Sequence, residues 1–313
     1  DNILSNMTLN PQNFELIKFP TKKFLMVNYK SIKLSPGLYF VSTPIGSARD
    51  ITLRALDILA NADVLAAEDT RTLKKLLDIH EIQLKNRILV SYHDHNGSKA
   101  RPKLLAHLEK GKSIAYASEA GTPLIADPGF SLLTGVISAE NNVTSAPGPC
   151  ALIAALTVGG LPTDRFCFEG FLPNNKSQRE LKFRKLQSYR GTLVFYESAK
   201  RLKDTLVKAL EIFGETRQAV VCREITKKFE DIKRGNLKEL SAFYSDKNVK
   251  GEIVLLIAGA VDSDTDQSKI EQYVKDALRT MSVKDSAEAV ALAFNVPRRD
   301  VYQIALKIKS DGD

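Results

Sequence analysis

The sequence predicts an α/β protein: a largely parallel sheet covered by helices, then a second strand-and-helix unit, then a short helical tail. Three observations predict it. Short β-rich apolar runs alternate with helix-period patterns through the first half of the chain. Each run stops in a loop rich in glycine, proline and polar side chains. A length of 313 residues suits about two domains.

The first strand is Gly37-Leu38-Tyr39-Phe40-Val41-Ser42, which ends at Thr43-Pro44-Ile45-Gly46. Ile51, Leu53, Leu56, Ile58 and Leu59 then recur at helical spacing. Asp63 to Ala67 is a second strand and ends in Glu68-Asp69-Thr70-Arg71; Leu73, Leu76 and Leu77 mark the helix after it. Arg87 to Tyr92 is a third strand, ending in His93-Asp94-His95-Asn96, and a helix covers about Arg101 to Leu108. Ser113 to Ala117 is a buried strand that runs into Ser118-Glu119-Ala120-Gly121-Thr122-Pro123 and then Asp127-Pro128-Gly129. A helix over about 130–139 leads to Val143-Thr144-Ser145-Ala146 and the Pro147-Gly148-Pro149 turn.

The second unit begins near Asp164. Its strands are Arg165 to Phe171, Gly191 to Glu197, Ala219 to Glu224 and Glu252 to Ala258, with a helix from about 199 to 212. Lys176, Arg179, Lys182, Arg184, Lys185 and Arg190, interleaved with Leu181, Phe183 and Leu186, read as an amphipathic helix with a basic outer face. Asp262 to Ser268 reads as a polar linker. In the tail, Ser282 and Asp285 have capping-box spacing, and two short helices about Asn295-Val296-Pro297 have the form of a helix-turn-helix or of a packing appendage. The expected organisation is an extension over 1–35, an α/β domain over 36–163, a second over 164–260, and a linker with helical tail over 261–313.

A net charge of +8 and a pI near 9.2 suggest an acidic partner, nucleic acid first. Cys150, Cys167 and Cys222 are scattered and odd in number, which argues against a disulfide framework or a zinc site and fits a reducing cytoplasm. No apolar stretch reaches the ~20 residues that cross a bilayer. The phosphate-binding G-x-x-x-x-G-K-[ST], the dinucleotide-binding G-x-G-x-x-G and the G-x-S-x-G elbow are all missing.

Four strand ends of the first unit therefore carry the functional signal: 43–46, 68–71, 93–96 and 118–123. Parallel strands put their carboxyl ends on one side, where open α/β sheets bind ligands. His93 and His95 lack a third partner of metal-ligand type, so they are read as base or substrate-contact groups, or as part of a solvated loop. Tyr196-Glu197-Ser198 and Arg223 to Lys227 are the matching strand ends of the second unit.

These loops, in this order, resemble the tetrapyrrole methylase superfamily of S-adenosylmethionine-dependent enzymes, and more closely its ribosomal RNA branch, which methylates a cytidine 2′-oxygen in small-subunit rRNA. The carrying strings are Ser42 to Gly46, Asp50 to Leu56, Ala66 to Arg71, His93 to Asn96, Ala120 to Pro123, Asp127 to Gly129, Pro147 to Pro149 and Gly160-Leu161-Pro162. Phe168 to Pro173, Phe195 to Ser198, Arg223 to Lys227 and Lys250-Gly251-Glu252 complete the set, which covers about residues 37 to 258. Glu119 and Ser47 stand where the family usually has Asp and Asn.

The resemblance implies two α/β domains of tetrapyrrole methylase type, one sheet mainly parallel and the next mixed, with the cofactor in the cleft between them, and a homodimer. It implies S-adenosylmethionine lined by Pro44, Ser118, Glu119, Ala120, Gly121, Thr122, Pro149, Tyr196 and Glu224. For methyl transfer to a ribose hydroxyl, the base candidates are His93, His95, Glu68 and Asp69, and the RNA-contact candidates are Arg71, Lys176, Arg179, Lys227, Arg298 and Arg299. The expected partner is the small ribosomal subunit or its rRNA, with no metal and no membrane. The rival readings are a small-molecule or protein methylase of the same superfamily and a non-catalytic RNA-binding relative.

Overall fold

The computed structural model describes residues 28–93, 95–260, 264–294 and 296–310. Residues 1–27 of the extension, Asp94, Asp262 at the head of the expected linker, and Asn295 lie outside the described residues. The chain divides into two compact units. One holds the residues up to Thr43, Ile51–Glu119 and Pro128–Gly148; the other holds Pro44–Asp50, Ala120–Asp127 and everything from Pro149 onward.

The first unit alternates β1 (Gly37–Val41), α1 (Leu53–Asn61), β2 (Val64–Ala67), α2 (Thr70–Ile79), β3 (Ile88–Ser91), α3 (Gly97–Glu109), β4 (Ser113–Ala117), α4 (Phe130–Ser138) and β5 (Val143–Ala146). The sheet has the order β3-β2-β4-β1-β5 and every pairing is parallel. β2 and β4 are buried along their whole length, which is why both read as unbroken apolar runs. Thr52 caps α1 by accepting from the Ala55 amide, and Asp69 caps α2 by accepting from the Arg71 amide. Leu56, Leu59, Leu73 and Leu77 of α1 and α2 share one core with Val41, Leu65 and Ala117. α4 packs beside α3, close enough that a side chain on Gly135 would lie 3.3 Å from Arg101 Cδ. Right-handed crossovers explain this division, because the connections to β2 and β3 run one way across the sheet and those to β4 and β5 run back.

The second unit holds α5 (Ala151–Gly159), β6 (Phe166–Phe171), α6 (Lys176–Leu186), β7 (Thr192–Ser198), α7 (Leu202–Phe213), β8 (Gln218–Arg223), β9 (Asp231–Asn236), α8 (Leu237–Tyr244) and β10 (Glu252–Ile257). Its sheet runs β6-β7-β10-β8-β9, with β6 and β7 parallel and the other pairs antiparallel. The period-2 alternation sends Val194, Val220, Val254 and Leu256 to the face covered by α5, and Leu193, Phe195, Val221 and Leu255 to the face covered by α6, α7 and α8. β9 escapes a hydrophobic reading because Asp231-Ile232-Lys233-Arg234-Gly235-Asn236 is a polar edge strand.

Two local expectations are corrected. On α6 the buried positions are Arg179 and Phe183, while Leu181 is exposed. At 3.6 residues per turn, 179 and 183 share a face and 181 does not. In the tail, the segment expected to be a linker is helical from Asp264 onward, as α9 (Asp264–Leu278), ahead of α10 (Val283–Phe294) and α11 (Arg298–Ser310). Acidic residues favour a first helical turn, so a polar acidic run is a weak sign of a linker. Ile270, Val274, Ala287, Val290, Val301 and Ala305 pack the three tail helices into their own core.

Candidate active site

In the first unit, the registers Val41 with Ala117, Ala67 with Ala117 and Ala67 with Ser91 level the carboxyl ends of β1, β4, β2 and β3. β1 and β4 are neighbours whose connections leave in opposite directions, so their ends form the switch point where such sheets take ligands. Thr43 and Ser118 sit there, both buried, and the Thr43 hydroxyl donates to the Ser118 carbonyl at 3.2 Å. The Ser118 hydroxyl is itself buried with no hydrogen-bond partner. Such an orphan costs about 1–3 kcal/mol. It marks a place where a ligand would complete the bonding.

Beside it, the Glu68 amide donates to the Ala117 carbonyl at 3.4 Å, and the Ser91 hydroxyl donates to the Glu68 carbonyl at 3.4 Å. Asp69 accepts from the Arg71 side chain through Nε at 3.1 and 3.2 Å and Nη2 at 2.7 Å, besides capping α2. The Arg71 guanidinium and amide hold the Asp69 carboxyl at about 2, well below the usual carboxylate value. A carboxylate that acidic is a poor proton acceptor at neutral pH. Its role here is to cap α2 and to anchor Arg71, whose side chain is otherwise exposed. The exposed Glu119 adds a weaker attraction on the same guanidinium.

His93 is held by Asn96: the His93 amide donates to Asn96 Oδ1 at 2.9 Å, and Asn96 Nδ2 donates to the Ser91 carbonyl at 3.0 Å. Its Nδ1 is buried and has no partner. The His95 ring stands edge-on to the His93 ring at 5.9 Å and is exposed. Among the described residues, no three His, Cys, Asp or Glu side chains group to hold a metal ion.

In the second unit, three loops meet. Thr122 donates to the Pro149 carbonyl at 2.9 Å. Gly121 has φ +87°, and a Cβ on it would sit 3.4 Å from Ile45 Cγ2 and 3.8 Å from the Pro149 carbonyl oxygen. Pro44 opens the first of these loops and is half-buried, whereas Ala120 is exposed. The Tyr196 hydroxyl accepts from the Leu152 amide at 3.2 Å, and its ring packs edge-on to Phe168 and Phe171. Burial pushes the Tyr196 hydroxyl far above its ordinary pKa, so it stays protonated.

Glu224 is committed elsewhere. Its Oε1 accepts from Lys227 Nζ at 2.9 Å and from the Glu252 amide at 3.0 Å, and Lys227 also reaches Glu252 Oε2 at 2.7 Å. The Glu252 amide and Lys227 pull the Glu224 carboxyl below its usual value. Glu224 and Thr226 both have positive φ, 53° and 65°, strain of order 1–3 kcal/mol each that this network sustains. The loop so held receives the Ser47 amide on Thr226 Oγ1 at 3.1 Å. Gly46 lies where a Cβ would be 2.6 Å from both Lys227 Cγ and Thr226 Oγ1. Glu224 and Lys227 thus act as a latch for the 44–47 loop. Thr43 and Thr226 do structural work that no residue type announced; the only signal was their place inside the Ser42 to Gly46 and Arg223 to Lys227 strings.

The basic positions fare differently. Lys176 faces Asp204 at 3.5 Å, Arg179 is 3% exposed, and Arg298 pairs with Glu288 at 3.2 Å, while Arg299 is exposed.

Comparison with known proteins gives this geometry a family. Residues 37–241 match the family model described as tetrapyrrole (corrin/porphyrin) methylases, and residues 264–309 match the RsmI C-terminal HTH domain. The ribosomal RNA small subunit methyltransferase I of Mesorhizobium japonicum is 40% identical over 90% of this chain and 96% of its own length. That of Escherichia coli O157:H7 is 41% identical over 90% of this chain and 99% of its own length. Among solved structures, the methyltransferase CobJ aligns with a TM-score of 0.55 at 17% identity, over 72% of this chain and 95% of that one. A cobalt precorrin-4 methyltransferase aligns at 0.53 with 16% identity, over 71% of this chain and 94% of that one, and at these identities both speak for the fold alone. A match across most of the chain, and relatives aligned over nearly their whole length, show that this chain belongs to the tetrapyrrole methylase family, in its ribosomal RNA small subunit methyltransferase I branch.

Proposed function

We propose that this protein transfers a methyl group from S-adenosylmethionine to the 2′-oxygen of a cytidine ribose in small-subunit (16S) ribosomal RNA. The observation that carries the reading is the carboxyl edge of the parallel sheet, where an unpartnered buried serine hydroxyl after β4 and an uncommitted histidine after β3 stand on the two strand ends that flank β2. The relatives named above are ribosomal RNA methyltransferases over nearly their full length, which supports RNA as the acceptor.

The residues present fit the cofactor. Ser118 offers a hydroxyl in need of a partner, and Gly121, three residues on, leaves the backbone bare at φ +87°. Ser118 to Thr122, with Pro44, Pro149 and Tyr196, are the residues that would hold it. When bound, it supplies a methyl group on a positively charged sulfur. The chain's own task is to align the ribose oxygen and to take its proton. Alignment contributes roughly 7–11 kcal/mol in well-oriented systems. His93 is assigned the proton. Its backbone is fixed by Asn96, and its ring Nδ1 has no partner in the protein. Of the other base candidates, Asp69 is disfavoured by the Arg71 fork and the helix cap that lower its pKa, and His95 and Glu68 are to be compared with His93 by substitution. Arg71, paired with Asp69 yet exposed at the edge, is placed to position a flanking phosphate rather than to add affinity. Exposed Phe130 and Ile137, one face of α4, support the homodimer that the family likeness implies, and light scattering would measure it.

The test is transfer from labelled S-adenosylmethionine to small subunits from a strain lacking the modification, with the product nucleoside identified by mass spectrometry. The expected product is 2′-O-methylcytidine. His93→Ala should lower turnover by about 10²–10⁴-fold with cofactor binding retained. Transfer to another atom, or a fully active His93→Ala, overturns the acceptor or the base assignment respectively.

A further inference from the structure

The basic run on α6 is the obvious place for RNA to dock, and the structure spends most of it internally, leaving Lys185 exposed. Lys182 pairs with Glu169 at 3.1 Å, Arg184 with Glu180 at 2.7 Å, Lys176 with Asp204 at 3.5 Å, and Arg179 is buried. Lys227 is consumed in the Glu224–Glu252 latch. The tail helices carry acidic residues nearly in balance with basic ones. A cation already neutralised by a carboxylate releases few counterions when it meets a phosphate, so these groups contribute little to RNA affinity.

Exposed cations without an ion pair among the described residues occur on both units, Lys185, Lys203, Arg299, Lys307 and Lys309 among them on the second, but those of the first unit stand beside the candidate site. Lys74 and Lys75 on α2 and Lys99 and Lys103 on α3 are exposed, and none has an ion-pair partner among the described residues. Asp78 is the acidic residue of α2, and Glu109, at the far end of α3, is that helix's. Both helices start at the carboxyl edge of the sheet, α2 straight after β2 and α3 just after His93 to Asn96. At 1.5 Å per residue, all four lysines lie within about 9 Å of their helix starts. α2 and α3 cover opposite faces of the sheet, so the two lysine pairs flank the end of β3, and hence His93, from both sides. Arg71, on the first turn of α2, is paired with Asp69 at 2.7 Å and is therefore not counted in this surface.

We propose that Lys74 and Lys75 on one side and Lys99 and Lys103 on the other are the rRNA-docking surface, gripping the backbone on either side of the target nucleotide so that its ribose meets His93. The proposal rests on RNA being the substrate.

The experiment compares wild type, the fourfold Lys74→Gln, Lys75→Gln, Lys99→Gln, Lys103→Gln variant, each lysine-pair variant, and a control. The control, Lys85→Asn with Lys110→Gln, removes charge at the opposite edge of the same sheet. Methyl transfer to small subunits is measured against salt, and S-adenosylmethionine binding is measured by calorimetry as the check on folding. The expected result is a KM for subunits raised at least tenfold in the fourfold variant, a salt slope shallower by about three, unchanged cofactor binding, and a control like wild type. If the fourfold variant does not fold, the two pair variants should each give about half the change in slope. An active wild type with fourfold and pair variants matching it in KM and slope overturns the docking surface alone. A wild type that binds cofactor but methylates no subunit overturns the RNA reading, and the surface with it.

Discussion

At the scale of the residue, Ser118 is the most informative position, because its environment predicts opposite signs for two measurements. The hydroxyl is buried and unpartnered, so removing it relieves a penalty in the protein without ligand. Ser118→Ala is therefore expected to leave thermal stability unchanged or higher while weakening cofactor binding several-fold. A loss of stability with unchanged affinity would show the hydroxyl to be an ordinary packing group. The sequence placed Ser118 at a strand end, but the lack of a partner depends on what surrounds it in three dimensions. Asp69 teaches the converse. As a residue type beside a strand end it reads as a base, and only the tertiary structure shows its carboxylate taken up by the Arg71 fork and the α2 cap, both of which lower its pKa.

At the scale of the element, the loop over 44–47 is held in place by another loop. Glu224, Lys227 and Glu252 tie the 223–227 turn, and Thr226 receives the Ser47 amide. Gly251, at φ +98°, leaves room for Glu224, whose Cδ would lie 2.5 Å from a Cβ there. Gly46→Ala would force a methyl group to 2.6 Å from Lys227 Cγ and Thr226 Oγ1. Overpacking of this kind costs about 1–3 kcal/mol. If the displaced loop carries the loss, S-adenosylmethionine affinity should fall about tenfold in calorimetry with turnover at saturating cofactor less affected. Equal affinity to wild type would mean the loop is not part of the cofactor site. The individual strings around Gly46, Thr226 and Gly251 were visible in the sequence, but their packing against one another was not, since they are up to 205 positions apart.

At the scale of the whole molecule, the ionisable groups set a window of stability. Asp63 accepts from the Ser113 amide and hydroxyl at 2.8 and 2.7 Å, bonds that lower its pKa, and Glu224 is lowered by the Glu252 amide and Lys227. Groups lowered in the folded state stabilise it fully above their unfolded values, near 4, and lose that contribution as pH falls through the folded values below. Lys227 is raised by its two carboxylates against the opposing effect of burial, so its contribution is present below about 10.4 and lost as pH rises through its folded value. Urea midpoints should therefore hold level between about pH 5 and 9 and fall on both sides. Glu224→Gln should flatten part of the acid-side fall, and an acid limb identical to wild type would remove Glu224 from the set.

The sequence by itself determined the alternation of strands and helices, because hydrophobic period and turn residues are local properties. It also determined the family, because the loop strings occur in order along the chain. Tertiary structure alone decided which of those loop residues are available. It buried Arg179 on α6, since a helix turns 100° per residue and only the packed sheet says which face is inside. It committed Glu224 to Lys227 and Asp69 to Arg71, and it left Ser118 Oγ and His93 Nδ1 without partners. Charge, burial and pairing are properties of neighbours in space, and neighbours in space are what a linear pattern does not list.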